Sequence, residues 1–158
     1  MTMDTDVVVL LAHDVIPRLV DVMKNAGFSV TQSSRHKMEA RLKRDLPVKF
    51  RYGRRYSVDL RIATYSLDRE AIRRSEDLTL FDIKLPIASA EDPVVYKIAW
   101  FGEIDQADIK AIFVRHGNNL DFGYLKRSAR KLVEETGNRQ IGEHLQTALM
   151  WVKNIAKG

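Results

Sequence analysis

The sequence predicts an α+β fold: a mixed or antiparallel sheet with flanking helices in the N-terminal half, then a helical C-terminal segment. Three observations predict it. Val7, Val8, Val9, Leu10 and Leu11 form a continuous apolar run of strand length. Between Val48 and Ile62 apolar and polar residues alternate on either side of Gly53-Arg54, the pattern of a hairpin with one buried face. From Ser89 onward apolar residues recur every three or four positions, as on the buried stripe of a helix. This change of texture divides the chain into an α/β core, 1–88, and a helical segment, 89–158, packed together as one compact unit.

The run at Val7 reads as a central strand buried on both faces. His13 to Ala26 is a helix with Val15, Ile16, Leu19, Val20 and Met23 on one side and Gly27 at its end. Phe28 to Thr31 is expected to be a short strand, and Ser34 to Arg44 a helix exposed on most of its surface. In the hairpin, Val48, Phe50, Tyr52, Tyr56, Val58, Leu60 and Ile62 share the buried face, so both tyrosines are assigned to the core. Leu67 to Ser75 is a helix capped by Ser66, and Leu78 to Leu85 a single last strand ended by Pro86. Beyond it come helices from Ser89, with Asp92 completing a capping box, from Asp105 to Arg115, from Tyr124 to Glu135 behind an Asp121 cap, and from Ile141 to Ala156. The last carries Leu145, Leu149, Trp151, Val152 and Ile155, enough apolar surface to close the helical half or to join a partner subunit in an oligomer.

Composition narrows the function classes. The chain is 158 residues long with 45% hydrophobic and 30% charged residues, the balance of a globular domain. No apolar run approaches the ~20 residues of a membrane helix, and Met1 to Asp6 carries two acids and no base, unlike a secretory signal. With no cysteine there is no disulfide or thiolate zinc site, and a cytoplasmic location is expected. The formal charge of +5 permits anionic partners. Arg35, Lys37, Arg41, Lys43 and Arg44, extended by Arg51, Arg54 and Arg55, are the candidate surface for nucleic-acid or nucleotide phosphates. The four histidines are scattered without metal-ligand spacing, and Ser57 and Ser66 lack a nearby base.

The acidic residues suggest more specific chemistry. Asp4 and Asp6 lie two apart on a strand and share a face. Their hard oxygens suit Mg²⁺, which commonly binds one or two carboxylates together with substrate phosphates. Asp59, from another strand of the same sheet, would complete a set able to hold two ions. Without a cation, mutual repulsion of three clustered carboxylates is expected to raise at least one pKa.

These residues stand in a recognisable order. Thr2-Met3-Asp4-Thr5-Asp6-Val7-Val8-Val9 resembles the Thr-x-Asp-x-Asp-hydrophobic core of the nucleotidyltransferase superfamily, the polymerase-beta-like fold. Tyr56-Ser57-Val58-Asp59-Leu60 resembles the strand carrying that family's third acid. Ala88 to Ile98, with Glu91-Asp92 and Lys97, is similar to a segment of its bacterial minimal-type members, and Asp105 to Ile109 and Leu120 to Leu125 continue the likeness. The resemblance implies Asp4, Asp6 and Asp59 as Mg²⁺ ligands and catalytic acids, with Asp59 helping to activate the incoming hydroxyl. Lys97 corresponds to a lysine facing the nucleotide cleft. The implied activity is nucleotidyl transfer from an NTP to a hydroxyl on a small molecule, protein or RNA. Family members also place a Gly-Ser or Gly-Gly loop about ten residues before the paired acids to hold the triphosphate. Three residues precede Asp4 in this sequence. Either the natural start lies upstream or the chain is a shortened member, and as written it is expected to bind NTP weakly. The alternatives are a catalytically inactive binding or regulatory module of toxin–antitoxin type and a basic nucleic-acid-binding domain.

Overall fold

A computed structural model describes residues 3–155. Its contacts divide the chain between Thr64 and Tyr65 into two compact units, Met1–Thr64 and Tyr65–Gly158. The architecture is α+β, with a mixed sheet in the first unit and mainly helices in the second. Among the described residues no helix is long and apolar enough to cross a membrane.

The first unit runs β1 (Met3–Val9), α1 (Ile16–Asn25), α2 (Gln32–Leu42), β2 (Val48–Tyr52) and β3 (Tyr56–Ile62). The strand order is β1-β3-β2, with β1 parallel and β2 antiparallel to β3. The central strand is therefore β3, and the apolar run expected at the centre lies on the edge. Val7, Val8 and Val9 are half-buried and Leu10 is 63% exposed. An aliphatic run reports burial of side chains; which strand it pairs with is decided by distant residues.

One sheet face builds the core. Val48 and Phe50 of β2 and Leu60 and Ile62 of β3 pack with Ile16 and Val20 of α1 and Leu42 of α2. Because strand residues alternate in direction, the same alternation sends Lys49, Ser57 and Asp59 to the opposite face. Pro17 opens α1, where a missing N–H costs nothing. Gly27 follows its end at φ +92°, and a Cβ there would come within 2.9 Å of the Tyr52 ring. Thr31 caps α2 by accepting the Ser34 N–H, while its own N–H donates to the Ser34 hydroxyl at 2.8 Å. Phe28 to Thr31 is not a strand: Ser29 N–H donates to the Arg51 carbonyl at 2.8 Å, but Phe28 N–H donates back to the Met23 carbonyl at 3.1 Å and no ladder forms. Arg35 ties α2 to α1 by donating to Asp21, and also to Glu39 at 2.8 Å.

The second unit contains α3 (Ser66–Arg74), β4 (Glu76–Leu80), β5 (Ile83–Ile87), α4 (Glu91–Trp100), α5 (Glu103–His116), α6 (Phe122–Thr136) and α7 (Gln140–Ile155). Its core joins Val94, Val95 and Ile98 of α4, Ile109 and Phe113 of α5, Leu125 and Leu132 of α6, and Ile141 and Leu145 of α7. Leu149, Trp151 and Val152 pack against the same cluster, so α7 closes the helical unit. Thr2 and Ala156, and the side chain of Ile155, lie outside the described residues.

The expected caps are present in part. Asp121 accepts the Tyr124 N–H at 2.8 Å, and Asp92 accepts the Ser89 N–H at 3.0 Å. Ser66 is the first helical residue and not the cap; Asp68 instead accepts the Tyr65 N–H at 3.0 Å. The single strand expected over Leu78 to Leu85 is a hairpin. Its turn is Phe81-Asp82, with φ +50° and +62°. Two left-handed residues make the tight turn that matches strand twist, but Phe-Asp lacks the Asn-Gly chemistry that announces it.

Phe50 is fully buried, whereas Phe81 is 96% exposed. Phe50→Ala is expected to destabilise the protein by about 3–5 kcal/mol through lost transfer energy and a cavity. Phe81→Ala should change stability by less than about 0.5 kcal/mol. Shifts of the denaturant midpoint for the two variants provide the check.

Candidate functional site

The polar face of the three-stranded sheet gathers the predicted acids. In the parallel pair, Asp4 lies opposite Ser57 and Asp6 opposite Asp59. Neighbouring strands run about 4.8 Å apart, so Asp6 and Asp59 stand side by side on one face. In the antiparallel pair, Lys49 lies opposite Asp59 and Arg51 opposite Ser57. The result is a lattice of three acids, two bases and one hydroxyl, all set by strand register.

Lys49 is its centre. Its Nζ lies 3.1 Å from Asp4 Oδ2 and 3.1 Å from Asp59 Oδ2. Those two carboxylates, from different strands, therefore converge on a single positive charge. The buried Ser57 hydroxyl donates to the other oxygen of Asp4. Beside this cluster is a small open pocket of about 120 Å³ lined by Asp4, Lys49, Arg51, Arg54, Tyr56 and Ser57.

The electrostatics reverse one expectation. The Ser57 hydroxyl and then the Lys49 ammonium hold the Asp4 carboxyl below the usual carboxylate range. The Asp59 and Asp4 carboxylates hold the Lys49 ammonium above the usual lysine range. Repulsion among carboxylates was expected to raise a pKa, but the protein supplies its own cation and the shift at Asp4 is downward. Among the described residues no three His, Cys, Asp or Glu side chains converge as a metal-binding group.

Lys49 is the residue that sequence reasoning missed, although half of its signal was present. The alternation already placed it opposite the buried face, but a two-residue turn at Gly53-Arg54 would pair it with Val58; the observed turn, Gly53-Arg54-Arg55, pairs it with Asp59. Tyr52 and Tyr56 were assigned to the core but are 49% and 55% exposed. They sit at the hairpin tip, past the reach of the covering helices. Tyr52 meets the Phe28 ring edge-on at 5.5 Å, and Tyr56 lines the pocket.

Lys97 belongs to the helical unit. Its Nζ is 2.6 Å from Asp108 and 3.7 Å from Asp105, an arrangement that ties α4 to α5. Of the basic surface on α2, Lys37, Arg41, Lys43 and Arg44 are exposed, while Arg35 is committed to Asp21 and Glu39. Arg41 also donates to the Pro47 carbonyl at 3.1 Å.

Compared with protein-family models and with curated proteins, the chain matches none.

Lys49→Met should raise the Asp4 pKa, because it removes one of the two groups that favour the carboxylate. The sign of the stability effect follows from linkage. A depressed folded-state pKa contributes stability above the unfolded carboxyl pKa, and this is lost as pH falls through the folded value. The raised Lys49 pKa contributes stability below the unfolded lysine pKa, and this is lost as pH rises through the folded value. The wild type should therefore hold an advantage over Lys49→Met between those limits, and the two should approach each other at acid pH. Carboxyl NMR titration of Asp4 and pH-dependent thermal melts measure both effects.

Proposed function

We propose that this chain is a nucleotidyltransferase-fold protein that transfers a nucleotidyl group from an NTP to a hydroxyl acceptor with Mg²⁺. The observation that carries the reading is the convergence of Asp4 and Asp59 on one cation, with Asp6 beside Asp59 in the next strand. Their donor set, carboxylate oxygen on a rigid sheet, fits a hard divalent ion, and the position of the Lys49 ammonium marks where positive charge is favoured. Asp4, Asp6 and Asp59 would hold Mg²⁺, with Lys49 withdrawing from Asp4 and Asp59. When bound, the metal supplies charge stabilisation for the phosphoryl oxygens. Asp59 accepts the proton of the acceptor hydroxyl, whose oxygen bonds to the α-phosphorus as pyrophosphate leaves. Lys49 lines the pocket together with Arg51 and Arg54, where these cations can meet phosphate charge.

A second reading is favoured by the same lysine. An ammonium that already neutralises two carboxylates is what a non-catalytic member retaining the fold would use, as a binding or regulatory module of toxin–antitoxin type. The two readings diverge on metal. If the site takes Mg²⁺, added Mg²⁺ or Mn²⁺ raises the melting temperature, since a ligand that binds only the folded state stabilises it. Asp59→Asn removes most of that shift, and Lys49→Ala enlarges it by removing the competing charge. Transfer of label from α-labelled NTPs to acceptor mixtures should depend on Asp4, Asp6 and Asp59. An equal metal response in wild type and Asp59→Asn, with no transfer, would leave the non-catalytic module as the better account.

A further inference from the structure

A second basic constellation lies in the helical unit. A pocket of about 200 Å³ between α3 and α6 is lined by Arg73 and Arg74 of α3 and Arg127 and Lys131 of α6. Ser66, Leu67, Glu70, Tyr124 and Ser128 complete it, so four positive side chains meet one carboxylate. Its floor is firm: Leu67, Tyr124 and Ser128 are buried.

The cations are arranged at a cost that local structure repays only in part. Arg127 and Lys131 are one turn apart on α6, a like-charge spacing that destabilises a helix. They face two consecutive arginines on α3. Each arginine is partly compensated. Arg73 donates to Glu70 at 2.5 and 2.9 Å, Arg74 lies 3.7 Å from Glu91, and Arg127 lies 3.6 Å from Asp121. No ion pair is found for Lys131 among the described residues, and its charge adds to those that hold the Glu70 carboxyl below its usual range, after Arg73.

The geometry is also preorganised. The Arg74 guanidinium carbon sits over the Tyr124 ring, 3.6 Å from its centroid, a cation–π contact that helps hold the group in place. The Tyr124 hydroxyl donates to the buried Asp92, so the ring itself is anchored. The N-terminus of α3 is not the attraction, because the Ser66 N–H already donates to the Glu135 carboxylate at 3.1 and 3.2 Å. What remains is a fork-shaped set of guanidinium donors around an accessible hollow, with a lysine at its rim. Planar guanidinium forks match phosphate oxygens.

We propose that the pocket between α3 and α6 is a phosphate-binding site, with Arg74, Arg127 and Lys131 as its principal donors. The ligand is recognised by its phosphate oxygens. Its phosphate comes either from a free di- or triphosphate or from a nucleic-acid backbone. The site shares no residue with the acidic cluster on the sheet and does not depend on the reading given to that cluster.

Arg127 and Lys131 are exposed, so Arg127→Ala and Lys131→Ala should fold normally, with unchanged circular dichroism and a melting temperature no lower than that of the wild type. Titration calorimetry with pyrophosphate, with ATP and with a short single-stranded RNA is the test. Lys131→Ala should weaken binding about tenfold, and the double variant about a hundredfold, as expected for losing one and then two charge-assisted contacts. Affinity should fall as salt rises, less steeply in the variants. Lys24→Ala, in the last turn of α1, should leave affinity within about twofold. Loss of pyrophosphate or ATP binding in the variants supports a free phosphate ligand. Loss confined to RNA supports a nucleic-acid backbone. Absence of binding by all three probes overturns the site, and so does binding that survives both substitutions.

Discussion

The register of β3 is the constraint on which the first unit depends. This strand is bonded on both sides, to β1 in parallel and to β2 antiparallel. Its alternation turns Leu60 and Ile62 into the helix-covered core and, by the same geometry, Ser57 and Asp59 to the other face. Slipping either neighbour by one residue would expose the apolar set and bury the charged one. The core therefore holds the polar face in place: burial of Phe50 against Ile16 and Val20 is what keeps Lys49 opposite Asp59.

That coupling explains why the acidic cluster is tolerated. Carboxylates forced together by strand pairing would repel, and the sheet answers with Lys49 from β2 and the Ser57 hydroxyl from β3. Lys49, Asp4 and Asp59 are partly exposed to water, so the ion pairs themselves contribute little to stability. Their consequence is chemical. A cation has a defined place between Asp4 and Asp59, and whatever displaces the ammonium must carry positive charge and accept oxygen ligands. The proposed metal role and the proposed non-catalytic role differ only in whether anything does displace it.

The helical unit solves its polar problems differently. Asp68, Glu91 and Asp92 are buried yet each accepts hydrogen bonds, from Tyr65 and Tyr96, from Asp121, and from Ser89 and Tyr124 respectively. At Glu91 burial opposes ionisation, but the donors outweigh it and hold the carboxyl below its usual range. A Glu-Asp pair at the start of a helix, which the sequence presents as a motif, is here a structural bracket that links α4 to the start of α6. The arginines between α3 and α6 have acidic partners in Glu70, Glu91 and Asp121 and still line an open hollow.

The sequence by itself determined the elements whose signal is local. The alternation over 48–62 specified the hairpin and its buried face, the Asp121 cap and Gly27 marked helix ends, and the class was legible as α+β. The shared face of Asp4 and Asp6 followed from spacing alone. Only the tertiary structure decided the rest. It put β1 at the edge, because strand order is set by pairing between distant residues and not by the hydrophobicity of one run. It turned a supposed strand into the β4–β5 hairpin, because left-handed Phe81 and Asp82 have no compositional mark. It exposed Tyr52 and Tyr56, because how far α1 and α2 cover the sheet is a matter of packing. Above all it brought Lys49 between Asp4 and Asp59. A side chain's partners across strands depend on registers that no single segment encodes.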